Sequence, residues 1–168
     1  VERYQSAAVA VGSHIIIAGG EDDNGNYLAD VDVYNTTTGQ LTTMTGLSEL
    51  RSGMAAATIG PYAIFAGGRG DSGYSNAVDI LDTRDMTWSA MTLDSARYKI
   101  GVVATDDAAY FVGGEAAGDF VETTDVFTMQ SSAIPAPLAV LAGVGLCTLQ
   151  LTRRVRISLR TNRETHTS

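Results

Sequence analysis

Up to residue 129 the apolar residues fall in short runs cut by glycine, asparagine and aspartate, and no window before residue 134 carries a 3.6-residue apolar period. In the first stretch, Ala7–Val11 and Ile15–Ala18 flank Gly12-Ser13, a two-residue hairpin signal, and the second run stops at Gly19-Gly20. A polar loop from Glu21 to Tyr27 follows, then Val31–Tyr34 with Asp32 between apolar neighbours, then Leu41–Thr43. The next stretch predicts strands over Met54–Ile59, Tyr62–Ala66, Ala77–Leu81 and Thr87–Ala90. The third predicts Ile100–Thr105, Ala108–Val112 and Thr123–Phe127. An uninterrupted run such as Ile15-Ile16-Ile17-Ala18 predicts a strand covered on both faces. The body is expected to be all-β.

The stretches repeat one another. Gly19-Gly20, Gly67-Gly68 and Gly113-Gly114 are spaced by 48 and then 46 residues, and so are Arg3, Arg51 and Arg97. Asp32, Asp79 and Asp125 recur at 47 and 46, each just ahead of an apolar residue, Val33, Ile80 or Val126. The turns keep step as well, at Gly12-Ser13, Gly60-Pro61 and Asp106-Asp107. Several residue types holding one period through three copies define three tandem units, about 3–48, 49–94 and 95–129.

Four antiparallel strands per roughly 45–50 residues is the pattern of a propeller blade. The residues resemble the kelch repeat: an Arg before the first strand, a Gly pair ending the second, an apolar-aromatic third strand and a Trp in the fourth. The second copy fills these positions with Arg51, Gly67-Gly68, Ile80-Leu81 and Trp88. The first fills them with Arg3, Gly19-Gly20 and Val33-Tyr34, and Leu41 stands where the Trp would be. The third has Arg97, Gly113-Gly114 and Val126-Phe127, with no fourth strand. The expected fold is thus a partial kelch-type β-propeller of about three four-stranded antiparallel blades, the last incomplete. These residues are expected to be scaffold: a Gly pair supplies backbone angles closed to other residues and lets blades approach, and Trp88 offers a large apolar face between sheets. The resemblance implies rings of six or seven blades, so three copies make about half a ring. The chain is expected to be the C-terminal half of a larger propeller whose other blades lie upstream; the alternative is a half-ring that pairs with a second copy.

Composition separates body from tail. The 168 residues carry a net charge of −8, but residues 1–133 hold eighteen acidic against six basic side chains. Residues 134–168 hold five arginines against Glu164 alone. An acidic body repels phosphate, so nucleic acid is not an expected partner. Residues 130–137 read as a linker, 138–156 as an apolar segment closed by an arginine cluster, and 157–168 as a polar tail expected to be disordered. The order Ile134-Pro135-Ala136-Pro137, apolar run Leu138–Leu151 and Arg153-Arg154-Val155-Arg156 resembles the Pro-Glu-Pro C-terminal sorting signal of bacterial exosortase substrates. It departs from that signal in Ala136 and in the twelve residues after Arg156. The resemblance implies an apolar helix, export, and retention at the cell surface through a membrane anchor; a single-pass anchor or a plain apolar tail on a cytoplasmic protein are the alternatives.

Few residues suggest chemistry. Gly68-Arg69-Gly70-Asp71-Ser72-Gly73 spells a dinucleotide fingerprint, but a strand rather than a helix is predicted after it, so the match is rejected. Inside it lies Arg69-Gly70-Asp71, an adhesion-type tripeptide on an exposed loop. Glu21-Asp22-Asp23-Asn24-Gly25-Asn26 is rich in oxygen ligands, yet the calcium-loop pattern fails at Tyr27 and Val33. Asn35-Thr36-Thr37 is a glycosylation sequon. The two histidines, His14 and His166, give no base for a Ser/His/Asp arrangement, and one cysteine, Cys147, leaves no internal disulfide or zinc spacing. No cofactor or metal is expected. The expectation is a non-catalytic module presenting the loops after each Gly pair to a protein or glycan, with Asp22, Asp23, Asn24, Arg69, Asp71, Tyr74, Glu115 and Asp119 as binding candidates. The rival is part of a galactose-oxidase-like or sialic-acid-mutarotase-like enzyme, kelch propellers whose catalytic residues would lie mostly elsewhere.

Overall fold

A computed structural model describes residues 2–129, and every regular element among them is a strand. The first sheet is β1 (Ala7–Val11), β2 (His14–Ala18), β3 (Asp30–Asn35) and β4 (Leu41–Thr45), all antiparallel and in sequence order. The second is built the same way from β5 (Ala55–Ile59), β6 (Tyr62–Ala66), β9 (Ala77–Asp82) and β10 (Thr87–Thr92). Between β6 and β9 the loop folds into a two-residue hairpin, β7 (Arg69–Gly70) with β8 (Gly73–Tyr74). The third sheet is β11 (Gly101–Ala104), β12 (Ala108–Val112) and β15 (Thr124–Thr128), with its own small hairpin of β13 (Glu115–Ala116) and β14 (Asp119–Phe120). These small hairpins are not legible as alternating apolar runs; each is too short to bury anything. The strand that follows the Gly68–Gly73 fingerprint is β9, so no helix faces a phosphate there.

The sheets stack as blades. The innermost strands run side by side, β1 and β11 both against β5, and mark the axis. Ile16, Ala18, Val31 and Val33 of the first blade pack on Ala63, Phe65 and Leu81 of the second. The other face of the second blade, Ile64, Ala66, Val78 and Ile80, packs on Ala109, Phe111 and Phe127 of the third. Every residue of β6 is therefore buried. The reading of Ile15-Ile16-Ile17-Ala18 as covered on both faces needs correction: in β2 Ile16 and Ala18 are buried while Ile15 is 38% exposed. Only the middle blade has a described neighbour on each side. Register confirms the repeat in the fourth strand, since Trp88 pairs with Leu81 and Leu41 with Tyr34 at the matching positions. Trp88 lies over Gly46 of the connection between blades, where a Cβ would meet its ring at 2.4 Å.

One arginine per blade ties the sheets together. Arg51, fully buried, donates to the carbonyls of Gly67 and Ala77 at 2.7 Å each and pairs with Asp79. Arg97 pairs with Asp125 at 2.6 Å, and Arg3 pairs with Asp32 while donating to the Asp30 carbonyl at 3.1 Å. Burial pulls the Arg51 and Arg97 guanidinium groups below their ordinary range, and the paired aspartates oppose it. The carbonyls of Arg51 and Arg97 reach backwards: Gly20 N–H donates to Arg51 at 3.0 Å and Gly68 N–H to Arg97 at 2.9 Å. This approach requires the Gly pair. Gly67 has φ +65°, and a Cβ there would lie 2.5 Å from the Arg97 oxygen and 2.4 Å from Ile100.

The linker at 130–137, the apolar segment 138–156 with its sorting-signal resemblance, and the tail 157–168 lie outside the described residues. Among the described residues no helix is long and apolar enough to cross a membrane.

Four substitutions test the packing and the buried ion pairs. Gly67→Ala is expected to cost at least about 3 kcal/mol in urea unfolding, combining a left-handed backbone with a backbone clash. Gly12→Ala, with φ +56° and open space around it, is expected to cost only about 1–2 kcal/mol. Removing the carboxylate in Asp79→Ala leaves a buried guanidinium unpaired and is expected to cost about 3–5 kcal/mol. Asp82→Ala, which frees only the half-exposed Arg84, is expected to cost far less.

Candidate functional site

At the end of the axis where the Gly-pair loops gather, the chain approaches each blade through a short lead-in after its arginine. Tyr4, Ser52 and Tyr98 each exchange two backbone hydrogen bonds, of 2.9–3.0 Å, with Glu21, Arg69 and Glu115 respectively. The next residues, Gln5, Gly53 and Lys99, all adopt left-handed backbone angles, φ +54°, +63° and +54°. Glycine takes that conformation freely, but in Gln5 and Lys99 it is held by the fixed residues on either side. Below them Ser6, Met54 and Ile100 lead into the inner strands. The three blades thus bring equivalent positions to a common mouth.

This mouth is a cleft of about 480 Å³ with Met54 and Ile100 in its wall and Gln5, Arg69, Tyr98 and Lys99 around it. Glu21 is 7% exposed; it accepts from the Tyr4 hydroxyl at 3.0 Å and from Ser52 Oγ at 3.3 Å, and Arg69 lies 3.8 Å away. Hydrogen bonding to Glu21, with some burial, raises the Tyr4 hydroxyl above its ordinary pKa. Across the mouth, Tyr74 stacks on Tyr98 with ring centroids 4.8 Å apart, and its hydroxyl donates to Glu115 at 3.4 Å. Lys99 Nζ sits 4.7 Å over the Tyr98 ring and 3.2 Å from Glu115. The acids are recessed beneath the cations: Arg69 and Lys99 side chains are 40% and 66% exposed, against 9% and 32% for Glu21 and Glu115. The surface offers aromatic faces, two cations and an amide, the groups that recur in protein recognition.

The structure gathers three of the candidate residues here, Arg69, Tyr74 and Glu115. It places the others apart. Asp22 closes its own loop, accepting from the Asn24 and Asn26 amides at 2.9 Å and from Asn26 Nδ2 at 2.9 Å, and these bonds lower its pKa. Asp23 and Asn24 are exposed on that loop, and Asp119 is exposed on β14. Asp71 lines a separate surface depression with Glu49, Leu50 and the other side of Tyr74, so the charges of the Arg69-Gly70-Asp71 tripeptide line different hollows. Asn35 Oδ1 accepts from the Thr37 and Thr38 amides, which engages the sequon side chain in its own turn. His14 Nε2 meets Asn35 Nδ2 at 3.4 Å, and among the described residues no three His, Cys, Asp or Glu side chains converge on a point where a metal could sit.

Tyr4, Gln5, Ser52, Gly53, Tyr98 and Lys99 are absent from the binding candidates that the sequence offers, and Glu21 enters there only through its oxygen-rich loop. Their signal was present in the repeat. They stand one and two residues after each fixed arginine, or directly after each Gly pair, and no such position is constant: Tyr4, Ser52 and Tyr98; Gln5, Gly53 and Lys99; Glu21, Arg69 and Glu115.

The salt link at the mouth has a measurable signature. The hydrogen bond from Lys99, ahead of those from the tyrosines, holds the Glu115 carboxyl below its ordinary value. A depressed carboxylate contributes stability above its unfolded pKa and loses it as pH falls through the folded pKa. An NMR titration of Lys99→Met is expected to move the Glu115 midpoint upward; an unmoved midpoint would remove the contact.

Residues 1–133 match the family model described as the KLHDC2/KLHL20/DRC7 Kelch-repeats domain. The search of curated proteins found no match to the chain. Kelch domains are generally non-catalytic modules that mediate protein interactions. With its Arg–Asp pairs, Gly pairs and stacked four-stranded sheets in place, the chain belongs to the kelch-repeat family.

Proposed function

We propose that this chain is a non-catalytic protein-binding module and that its partner seats on the axial cleft among Gln5, Arg69, Tyr98 and Lys99. One observation carries this reading: residues that differ between blades converge on one opening, while the Arg, Asp and Gly positions that build the blades stay constant. A scaffold needs only the constant set. The variable set has no packing task that a smaller side chain could not perform, as Ser52 and Gly53 demonstrate in the middle blade. The opposite end of the axis, at the Gly12, Gly60 and Asp106 turns, holds a cleft of similar volume, about 510 Å³, with small side chains and no aromatic group among its lining residues.

A peptide library displayed on phage and selected on the full chain tests the site. Selected peptides are expected to lose about tenfold in affinity for Tyr98→Ala and for Lys99→Ala, roughly 1.4 kcal/mol each. They are expected to bind Thr105→Ala and Asp106→Ala, at the other end of the axis, unchanged. The reverse ranking would move the site to the turn end.

A further inference from the structure

Between the connection from the first blade to the second and the β7–β8 hairpin lies a second hollow, of about 300 Å³. Glu49, Leu50, Asp71, Tyr74, Ser75 and Asn76 are in its lining. Backbone packing and a buried hydroxyl set its shape. The hairpin presses on the connection so closely that a Cβ at Gly70 would lie 2.3 Å from the Leu50 carbonyl oxygen. At the floor, Ser75 is 7% exposed; its Oγ accepts from the Ala77 amide at 3.0 Å and donates to Glu49 Oε2 at 2.6 Å. That bond holds the Glu49 carboxylate in the hollow. Tyr74 stacks on Tyr98 with one face and lines the hollow with its other side.

The negative charge of this hollow is unbalanced from within. No cation is among its lining residues, because Arg69 turns to the axial cleft instead. The buried Arg51 feels the Glu49 charge but is paired with Asp79. Asp71, exposed, makes no hydrogen bond or ion pair with any described residue. In other turns Asp22, Asp82 and Asp85 each accept the amide two residues on, so Asp71 lacks the turn-capping task that accounts for them. Nor does the repeat require these groups. The third blade carries Ser95, Ala116, Ala117 and Val121 at the positions of Glu49, Gly70, Asp71 and Ser75. Both carboxylates, and the hydroxyl that holds one of them, are particular to the middle blade.

We propose that this hollow receives an arginine side chain of a protein partner, its guanidinium between Glu49 and Asp71 and against Tyr74. A planar guanidinium satisfies carboxylates and an aromatic wall together. A metal ion fits less well, since among the described residues no three His, Cys, Asp or Glu side chains converge on a point. The rim is open to water, so the contact selects by charge more than it adds affinity. The source of the guanidinium rests on the protein-binding reading above; the hollow itself is separate from the axial cleft.

An NMR titration of the full chain with a blocked Gly-Arg-Gly tripeptide is expected to give saturable amide shifts at Glu49, Leu50 and Gly70 to Asn76. Asp71→Asn, which breaks no bond of the folded chain, is expected to weaken binding about fivefold. Glu49→Gln, which keeps an acceptor for Ser75, is expected to weaken it by a similar factor. Asp119→Asn, in the matching hairpin of the third blade, is expected to leave binding unchanged. Equal shifts with blocked Gly-Gln-Gly, equal losses in Asp71→Asn and Asp119→Asn, or shifts at the axial cleft alone would each overturn the proposal. Library peptides that still depend on Tyr98 and Lys99 would in that case leave the axial site standing.

Discussion

The structure depends on a buried arginine that faces two ways. Inside its own blade the Arg51 guanidinium collects the Gly67 and Ala77 carbonyls and the Asp79 carboxylate. From the same residue, the backbone carbonyl accepts the Gly20 N–H of the preceding blade. A buried cation is tolerable only with such compensation, because an unpaired one loses hydration with nothing in return. The constraint explains why Arg, Gly-Gly and Asp share one period: each is a part of the same joint. It also explains the apolar pattern, since a sheet held between two neighbours by such joints has no solvent side, and β6 has none.

With the joints fixed, adjacent positions are free to differ. The residues just after each arginine are carried by its buried side chain to the mouth of the axis and held there by paired backbone bonds to the loop after the Gly pair. Their backbone is fixed in each blade while their side chains differ in size and charge, from the buried Ser52 to the exposed Lys99. That combination, adaptable chemistry on a preorganised frame, is what a recognition surface needs. Tyr74 stacking on Tyr98 and Lys99 bridging Tyr98 to Glu115 give the surface order before any partner arrives.

Most of the scaffold was legible in the sequence because it repeats. The hairpins at Gly12-Ser13 and Gly60-Pro61, the Gly pairs and the Trp88 position lie where periodicity places them, since local turn chemistry and long-range packing ask for the same residues. The two-sided burial expected of β2 failed because coverage is a property of neighbouring blades, which a run of isoleucines cannot report. The site was legible only in part. Arg69, Tyr74 and Glu115 could be found as polar or aromatic residues in loops. Tyr98 and Lys99 carry only the fainter signal of variable positions beside a scaffold arginine, and they meet the loop residues through pairing across sixteen or more positions. Asp22 looked like a ligand because an aspartate that caps its own turn has the composition of one that binds a cation.

Native-state hydrogen exchange at the amides of Gly20 and Gly68 tests the joint directly. If arginine carbonyls lock one blade to the next, both amides exchange only through global unfolding, and with fast reclosing their exchange free energies equal the full unfolding free energy. The Gly39 amide, bonded to Asn35 in an exposed turn at 2.8 Å, exchanges by local opening in the same sample. Gly20 or Gly68 exchanging as readily as Gly39 would contradict the account.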